Sequence, residues 1–364
     1  MYNFYPGPGI LFKHVLDHVQ SELTNWDGSG MSILELSHRT SGFLSILNDT
    51  KSTLRKLADI PDEYDILFVQ GGATQVFSSL PMNLSKKGDT VDYVVNGYWS
   101  RFAAEEARKY CEVHIAASDD TNTSCPDEWD LTPNTAYVHY CSNETIHGCE
   151  YESVPEIPKG VPLICDMSSN FLSRPVDVRK YGMIYAGAHK NIGPAGMTIL
   201  IIRKDLLNRS HNKPELPHMF NYDLVSKAGS MLNTPPIFSI YFANLIFKRM
   251  IDLGGLTIMR ERNVQKAKCL YDAIDNSHGF YTYAMRKQYR STMNVPFCLP
   301  TKYLEDKFIN EAEQKGLVGL RGHTSVGHCR ASIYNGMPIE GVEALVAFMK
   351  QFAIEEKISK INNK

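Results

Sequence analysis

Tyr185-Ala-Gly-Ala-His-Lys190-Asn-Ile-Gly-Pro-Ala-Gly196 decides how this chain folds. The apolar run Met183-Ile184-Tyr185 reads as a buried strand, and two small residues follow it. A single lysine is then delivered into a glycine-rich turn, ahead of a second apolar strand over 197–202. Taking an ammonium out of water is costly unless it is paired or loses its proton, so a lysine placed there needs a reason. Two readings stand side by side: an amine held as a nucleophile, and a loop lysine whose head snorkels to solvent.

Outward from this segment, short apolar runs alternate with helical stretches from about residue 60 to 205. The pattern predicts strands at 65–70, 91–96, 112–115, 136–141, 162–166, 183–186 and 197–202, with helices over 74–84 and 99–110 and a helix-like stretch at 31–36. Alternation of buried strands with helices implies an α/β domain, a mostly parallel seven-stranded sheet between helices. After Pro235-Pro236 the character changes: helices at 237–252, 256–276, 304–315 and 342–355 enclose strands at 292–299 and 329–334. The expected division is a large domain over 15–255 and a smaller C-terminal α+β domain over 256–364, with the N-terminal segment 1–14 packing against the latter.

At 364 residues the chain is long enough for two cores, and its net charge of -2 argues against a nucleic-acid or membrane-surface protein. No apolar stretch approaches the roughly 18 residues that span a bilayer, and no signal peptide is evident. Eight scattered cysteines without a C-x-x-C pair are expected to be reduced thiols in a cytoplasmic protein, with neither a disulfide framework nor a zinc site.

Ligands of open parallel sheets bind at the carboxyl ends of the strands, and four segments fall there. Gln70-Gly-Gly-Ala-Thr74 opens a helix, as a phosphate cup does and as many ordinary strand–helix turns do. Asp166 terminates a buried run and keeps its charge only beside a cation, or else serves as a cap. Trp99 follows a strand, as a platform for a flat ring or as a core residue. Ser142-Asn-Glu-Thr145 offers polar side chains. Cup, platform, acidic partner and lysine together form a coherent site for pyridoxal 5'-phosphate, whose protonated ring nitrogen the aspartate would face. Two basic clusters, Ser37-His38-Arg39 and Arg321-Gly-His323-Thr-Ser-Val-Gly-His328-Cys-Arg330, suit carboxylate and phosphate groups or are solvated surface.

With these residues in view the chain resembles the phosphoserine aminotransferase family, fold-type-I enzymes of the class-V aminotransferase group. The likeness rests on Asn3-Phe-Tyr-Pro-Gly-Pro8, residues 31–39, Gly71-Gly-Ala-Thr-Gln75, Asn143-Glu-Thr-Ile146, Asp166-Met-Ser-Ser169, Leu172-Ser-Arg-Pro-Val-Asp177, residues 188–196, Asn233-Thr-Pro-Pro236 and Arg330-Ala-Ser-Ile-Tyr-Asn335. The resemblance implies that Lys190 carries the cofactor as a Schiff base and shuttles the proton, and that Asp166 pairs with the ring nitrogen. It implies that Trp99 stacks on the ring, Thr145 bonds its 3′ oxygen, and Ala73, Thr74 and His189 hold its phosphate. Asn233 and Thr234 would reach that phosphate from a neighbouring subunit, hence a homodimer with shared sites. Arg330 would bind the substrate α-carboxylate, and His38, Arg39 and His323 its phosphate or side-chain carboxylate.

Three positions depart from the family pattern. His189 stands where glutamine is usual, Thr324 where a phosphate-gripping arginine is expected, and His328 in place of glycine, where it would partly compensate. The implied reaction transfers the amino group of L-glutamate to 3-phosphohydroxypyruvate, giving O-phospho-L-serine and 2-oxoglutarate in serine biosynthesis, with 4-phosphohydroxythreonine a further substrate. The rivals are a related aminotransferase with an altered small substrate and a non-catalytic cofactor-binding protein.

Overall fold

The computed structural model describes residues 1–153, 156–209 and 215–362. Seven strands form the central sheet: β1 (Tyr64–Gln70), β2 (Thr90–Val95), β3 (Glu112–Ser118), β4 (Val138–Cys141), β5 (Leu163–Asp166), β6 (Met183–Gly187) and β7 (Met197–Arg203). Their order is β1-β7-β6-β5-β4-β2-β3, and β7 alone is antiparallel to its neighbours. β4, β5 and β6 are buried along their whole length, as strands covered on both faces are. Their register sets Cys141 beside Asp166 and Asp166 beside Tyr185, so these carboxyl ends lie level.

The large helices that cover the sheet and lead on from it are α1 (Lys13–Glu22), α2 (Ser41–Leu57), α3 (Ala73–Leu84), α4 (Tyr98–Ala107), α5 (Ile237–Asp252) and α6 (Gly255–Asp275). α3 turns Val76, Phe77, Leu80 and Leu84 inward, each burial worth about 1.5–3 kcal/mol. Past α6, β8 (Asn294–Phe297) pairs antiparallel with β9 (Cys329–Ser332), flanked by α7 (Lys302–Gln314) and α8 (Ile339–Asn362). Tyr2–Asn3 pairs with Leu317–Val318, and Phe4 packs into the apolar cluster of Leu270, Phe297, Phe308 and Phe352. α6 links the two cores: Leu256 and Met259 belong to the one under the sheet, Leu270 and Ile274 to the other. Among the described residues no helix is long and apolar enough to cross a membrane.

Two expectations need correction. The stretch 31–36 forms turns rather than a helix: Ile33 and Leu36 are buried while Met31 and Leu34 face outward, and the Ser32 hydroxyl accepts from the Leu34 N–H. The helix lies further on, as α2, capped by the Thr40 hydroxyl and burying Phe43, Ile46, Leu47, Leu54 and Leu57. The cysteines are not all free, because Cys125 and Cys149 are paired, with Cα atoms 6.6 Å apart. The fold brings them together across 24 residues of sequence, and the Asn96 amide lies against both sulfurs. The other six are free thiols.

Candidate active site

Five strand ends converge on a cavity of about 310 Å³, lined among others by Trp99, Asp166, His189, Lys190, His323 and Arg330. Lys190 follows β6 in a tight turn in which its own N–H and that of Gly193 both donate to the Ala188 carbonyl at 2.8 Å. The turn leaves the side chain 8% exposed, its ammonium donating to the Thr145 hydroxyl at 2.9 Å. Burial pulls the Lys190 pKa below the ordinary lysine value and Arg330 adds to this, while Asp166, Cys141 and Glu144 oppose it. That burial and the bond to Thr145 exclude the solvent-snorkelling reading.

Asp166 ends β5 at 5% exposure, accepting from the Ser168 N–H at 2.8 Å. Burial raises its pKa, against the lowering bonds of Ser168 and the charge of Lys190. A carboxyl so placed ionises fully once a cation enters the cavity beside it. Arg330, on β9, is 4% exposed; its guanidinium's one described bond runs to the Thr145 carbonyl at 3.4 Å, and its Nε has no partner among the described residues. A buried guanidinium without a carboxylate is a receptor for one.

Gly71 takes φ +105°, a left-handed turn open to glycine, and Gly72 then begins α3 with no side-chain cap. Ala73 and Thr74, which open that helix at the positive end of its dipole, line the cavity. Trp99 lies in the first turn of α4, which Glu144 fixes: its carboxylate accepts from Ser100 N at 2.7 Å and Trp99 N at 3.1 Å. A Cβ on Gly97 would collide with that carboxyl, which is why the turn needs glycine. The His189 ring sits in a space left by two glycines, since a Cβ would come within 2.7 Å of it at Gly7 and 3.0 Å at Gly187.

Burial and the charge of Lys190 hold His189 near pKa 4, and burial holds His139 near 3 and His147 near 4, against an ordinary 6.5. These rings are neutral in the fold and take up protons on unfolding, so stability falls as pH drops from about 6.5 towards 4. His189→Gln removes one such proton. In urea titrations across that window its stability should fall less steeply than wild type, by up to about 1.4 kcal/mol per pH unit. An unchanged slope would show that His189 is not held neutral.

Of the residues singled out from sequence, the cavity gathers Ala73, Thr74, Trp99, Thr145, Asp166, His189, Lys190, His323 and Arg330. His38, Arg39, Asn233, Thr234 and His328 do not line it. Asn233 and Thr234 bond Gln70 at 3.2 and 2.7 Å, Arg39 is exposed, and His328 pairs with Glu305 at 2.7 Å. Thr324 is exposed at the tip of the 321–328 loop. Sequence reading gave no role to Glu144 as the clamp on α4, to Ser168, or to His147, whose charge environment includes His323 and Arg330. The glutamate alone carried a signal, as an acid placed in a buried run.

The donor set fits pyridoxal phosphate. An uncapped helix start takes a phosphate, an unpaired buried carboxyl a ring nitrogen, and a depressed lysine an aldehyde; the Trp99 indole N–H, buried without a described partner, marks the cavity wall.

Comparison with known proteins agrees. Residues 1–345 match the family Aminotransferase class-V. A phosphoserine aminotransferase of Laribacter hongkongensis is 51% identical over 97% of this chain and 98% of its own. The solved phosphoserine aminotransferase of Bacillus circulans subsp. alkalophilus superposes with TM-score 0.95 at 43% identity, covering 98% of this chain and 99% of that one. A PLP-bound phosphoserine aminotransferase from Trichomonas vaginalis does so with TM-score 0.91 at 41% identity, covering 96% and 99%. The chain belongs to the class-V aminotransferase family, and its similarity within that family runs to the phosphoserine aminotransferases.

Proposed function

We propose that this enzyme uses pyridoxal phosphate to transfer the amino group of L-glutamate to 3-phosphohydroxypyruvate, forming O-phospho-L-serine and 2-oxoglutarate. The carrying observation is the buried Lys190 amine, 2.9 Å from Thr145, in one cavity with Asp166 and Arg330. The bound cofactor supplies the electron sink for the Cα–H bond pair. Arg330 grips the substrate α-carboxylate bidentately and so orients that bond. Lys190, whose pKa burial holds below the ordinary lysine value, removes the proton from Cα. Thr145 fixes where the amine stands, and Asp166 would face the cofactor's protonated ring nitrogen, the cation its buried carboxyl needs in order to ionise.

The phosphate, or the side-chain carboxylate of glutamate, faces His323. His38, Arg39, Asn233 and Thr234 lie away from this cavity, which supports a homodimer in which each subunit lends them to the other's site. The large and small domains divide near residue 255, and the location is cytoplasmic, in keeping with the six free thiols though not with the paired Cys125 and Cys149.

Steady-state kcat/KM for O-phospho-L-serine against unphosphorylated L-serine tests the reading. One charge-assisted contact is worth about 1.5–3 kcal/mol, so a preference of roughly ten- to a hundredfold or more is expected. The exposed Thr324 favours the low end, because it adds nothing to the cavity. Equal rates would leave an aminotransferase of different substrate; cofactor binding without turnover of either would leave a binding protein.

A further inference from the structure

The geometry points to His328 as a positioning residue that acts through Glu305 rather than by touching substrate. This rests on the proposed substrate site and concerns how its outer wall is held. The loop from Arg321 to His328 is a short excursion: Gly322 N donates to the His328 carbonyl at 3.0 Å and Gly327 N to the His323 carbonyl at 2.7 Å. Arg321 bridges Cys329 across its base. His323 stands inside the loop and lines the cavity, and Arg330 follows it by two residues. Whatever fixes the base of the loop therefore fixes both groups that face the substrate.

His328 is at that base. Its backbone takes φ +62°, a left-handed conformation that a residue with a Cβ adopts only against a penalty. In that conformation the half-exposed ring sets its Nδ1 2.7 Å from Oε1 of Glu305 on α7, whose side chain is 5% exposed. The next cation, Lys302, is 3.8 Å from the other carboxylate oxygen. A second tether, Arg321 to Asp306 at 2.8 Å, joins two half-exposed side chains and has no buried member, so it is the weaker of the two. The buried carboxylate thus depends on His328, and the loop depends on the pair to stay docked on α7. Ser325 holds the Nδ1 edge of His323 at 2.7 Å, so the docked loop presents the other ring nitrogen.

A double-mutant cycle tests this. His328→Ala and Glu305→Ala should each raise KM for O-phospho-L-serine by about tenfold with kcat within about twofold, and the double variant should be no worse than either single one. His328→Gln still donates a hydrogen bond to Glu305 and should bring KM back to within about threefold of wild type. Should the alanine variants not fold, His328→Leu and Glu305→Met, which keep the volume but not the hydrogen bond, carry the same comparison, read with cofactor content and Tm unchanged. KM raised by His328→Ala but not by Glu305→Ala, with additive effects in the pair, would mean that His328 meets the substrate itself and would overturn the inference. KM unchanged in every variant would overturn it as well. Reading the same cycle on KM for L-glutamate keeps the test separate from the phosphoserine assignment, which fails only if wild-type enzyme does not turn over phosphoserine.

Discussion

Lys190→Ala should lower kcat by at least about 10⁴-fold, the upper range for a positioned general base, while leaving the fold intact. The lysine lines the cavity where no other lysine does, and its ammonium makes one described side-chain bond, to Thr145. Removing it leaves a small polar gap and takes from buried Asp166 one of the charges that oppose its raised pKa, so thermal unfolding of the variant should fall only slightly below wild type. Lys190→Arg separates charge from chemistry: the guanidinium stays protonated and accepts no proton, so the variant should be as inactive as alanine. In both variants the added cofactor should absorb as free pyridoxal phosphate. Retention of more than about 1% of turnover would remove Lys190 from the chemistry.

The same variant reads the subunit arrangement. Arg39→Ala subunits carry an intact Lys190, and Lys190→Ala subunits an intact Arg39. If sites are shared across a two-fold axis, equal mixing after dissociation should restore about a quarter of wild-type activity, from the one complete site in each hybrid dimer. Recovery no greater than the sum of the separate variants would mean that Arg39 serves another purpose.

The strands were legible because parallel strands covered on both faces are written as unbroken apolar runs, as at Leu163–Asp166. The reversed direction of β7 was not, since Met197–Arg203 carries the same apolar code whichever way it runs. Site residues that sit on strand ends or open a helix, Lys190, Asp166, Thr74 and Trp99, announced themselves by breaking a local pattern. What remained hidden depends on pairing across the fold. The partner of His328 lies 23 residues away on a helix whose other acids are more exposed, and nothing local marks Glu305 as the buried one. The contact between Cys125 and Cys149 is of the same kind. The stretch 31–36 misled because two buried positions three apart, Ile33 and Leu36, fit a turn as well as a helix.

Asp166→Asn should lower kcat by roughly 150- to 5000-fold. The substitution keeps the shape and keeps an oxygen to accept from Ser168 N, now at 2.8 Å, so only the charge is lost. Stripping one partner from a buried ion pair costs about 3–5 kcal/mol, roughly 150- to 5000-fold in rate if the cofactor's ring nitrogen is that partner. Two further readouts identify the cause. Asp166 is first among the groups that raise the Lys190 pKa, so its loss should move the acid limb of the pH–rate profile to lower pH. Stability should move the opposite way from activity. Burial raises the folded pKa of Asp166, so the carboxyl's contribution is present at low pH and is lost as pH rises through that value. In the cofactor-free wild type, burial thus makes this carboxyl costly to ionise, asparagine removes that cost, and the cofactor-free variant should melt higher than cofactor-free wild type. A variant that melts lower and turns over normally would make Asp166 a structural residue. A variant that melts higher and is nearly inactive would show that the fold tolerates a costly charge for the sake of the ligand that neutralises it.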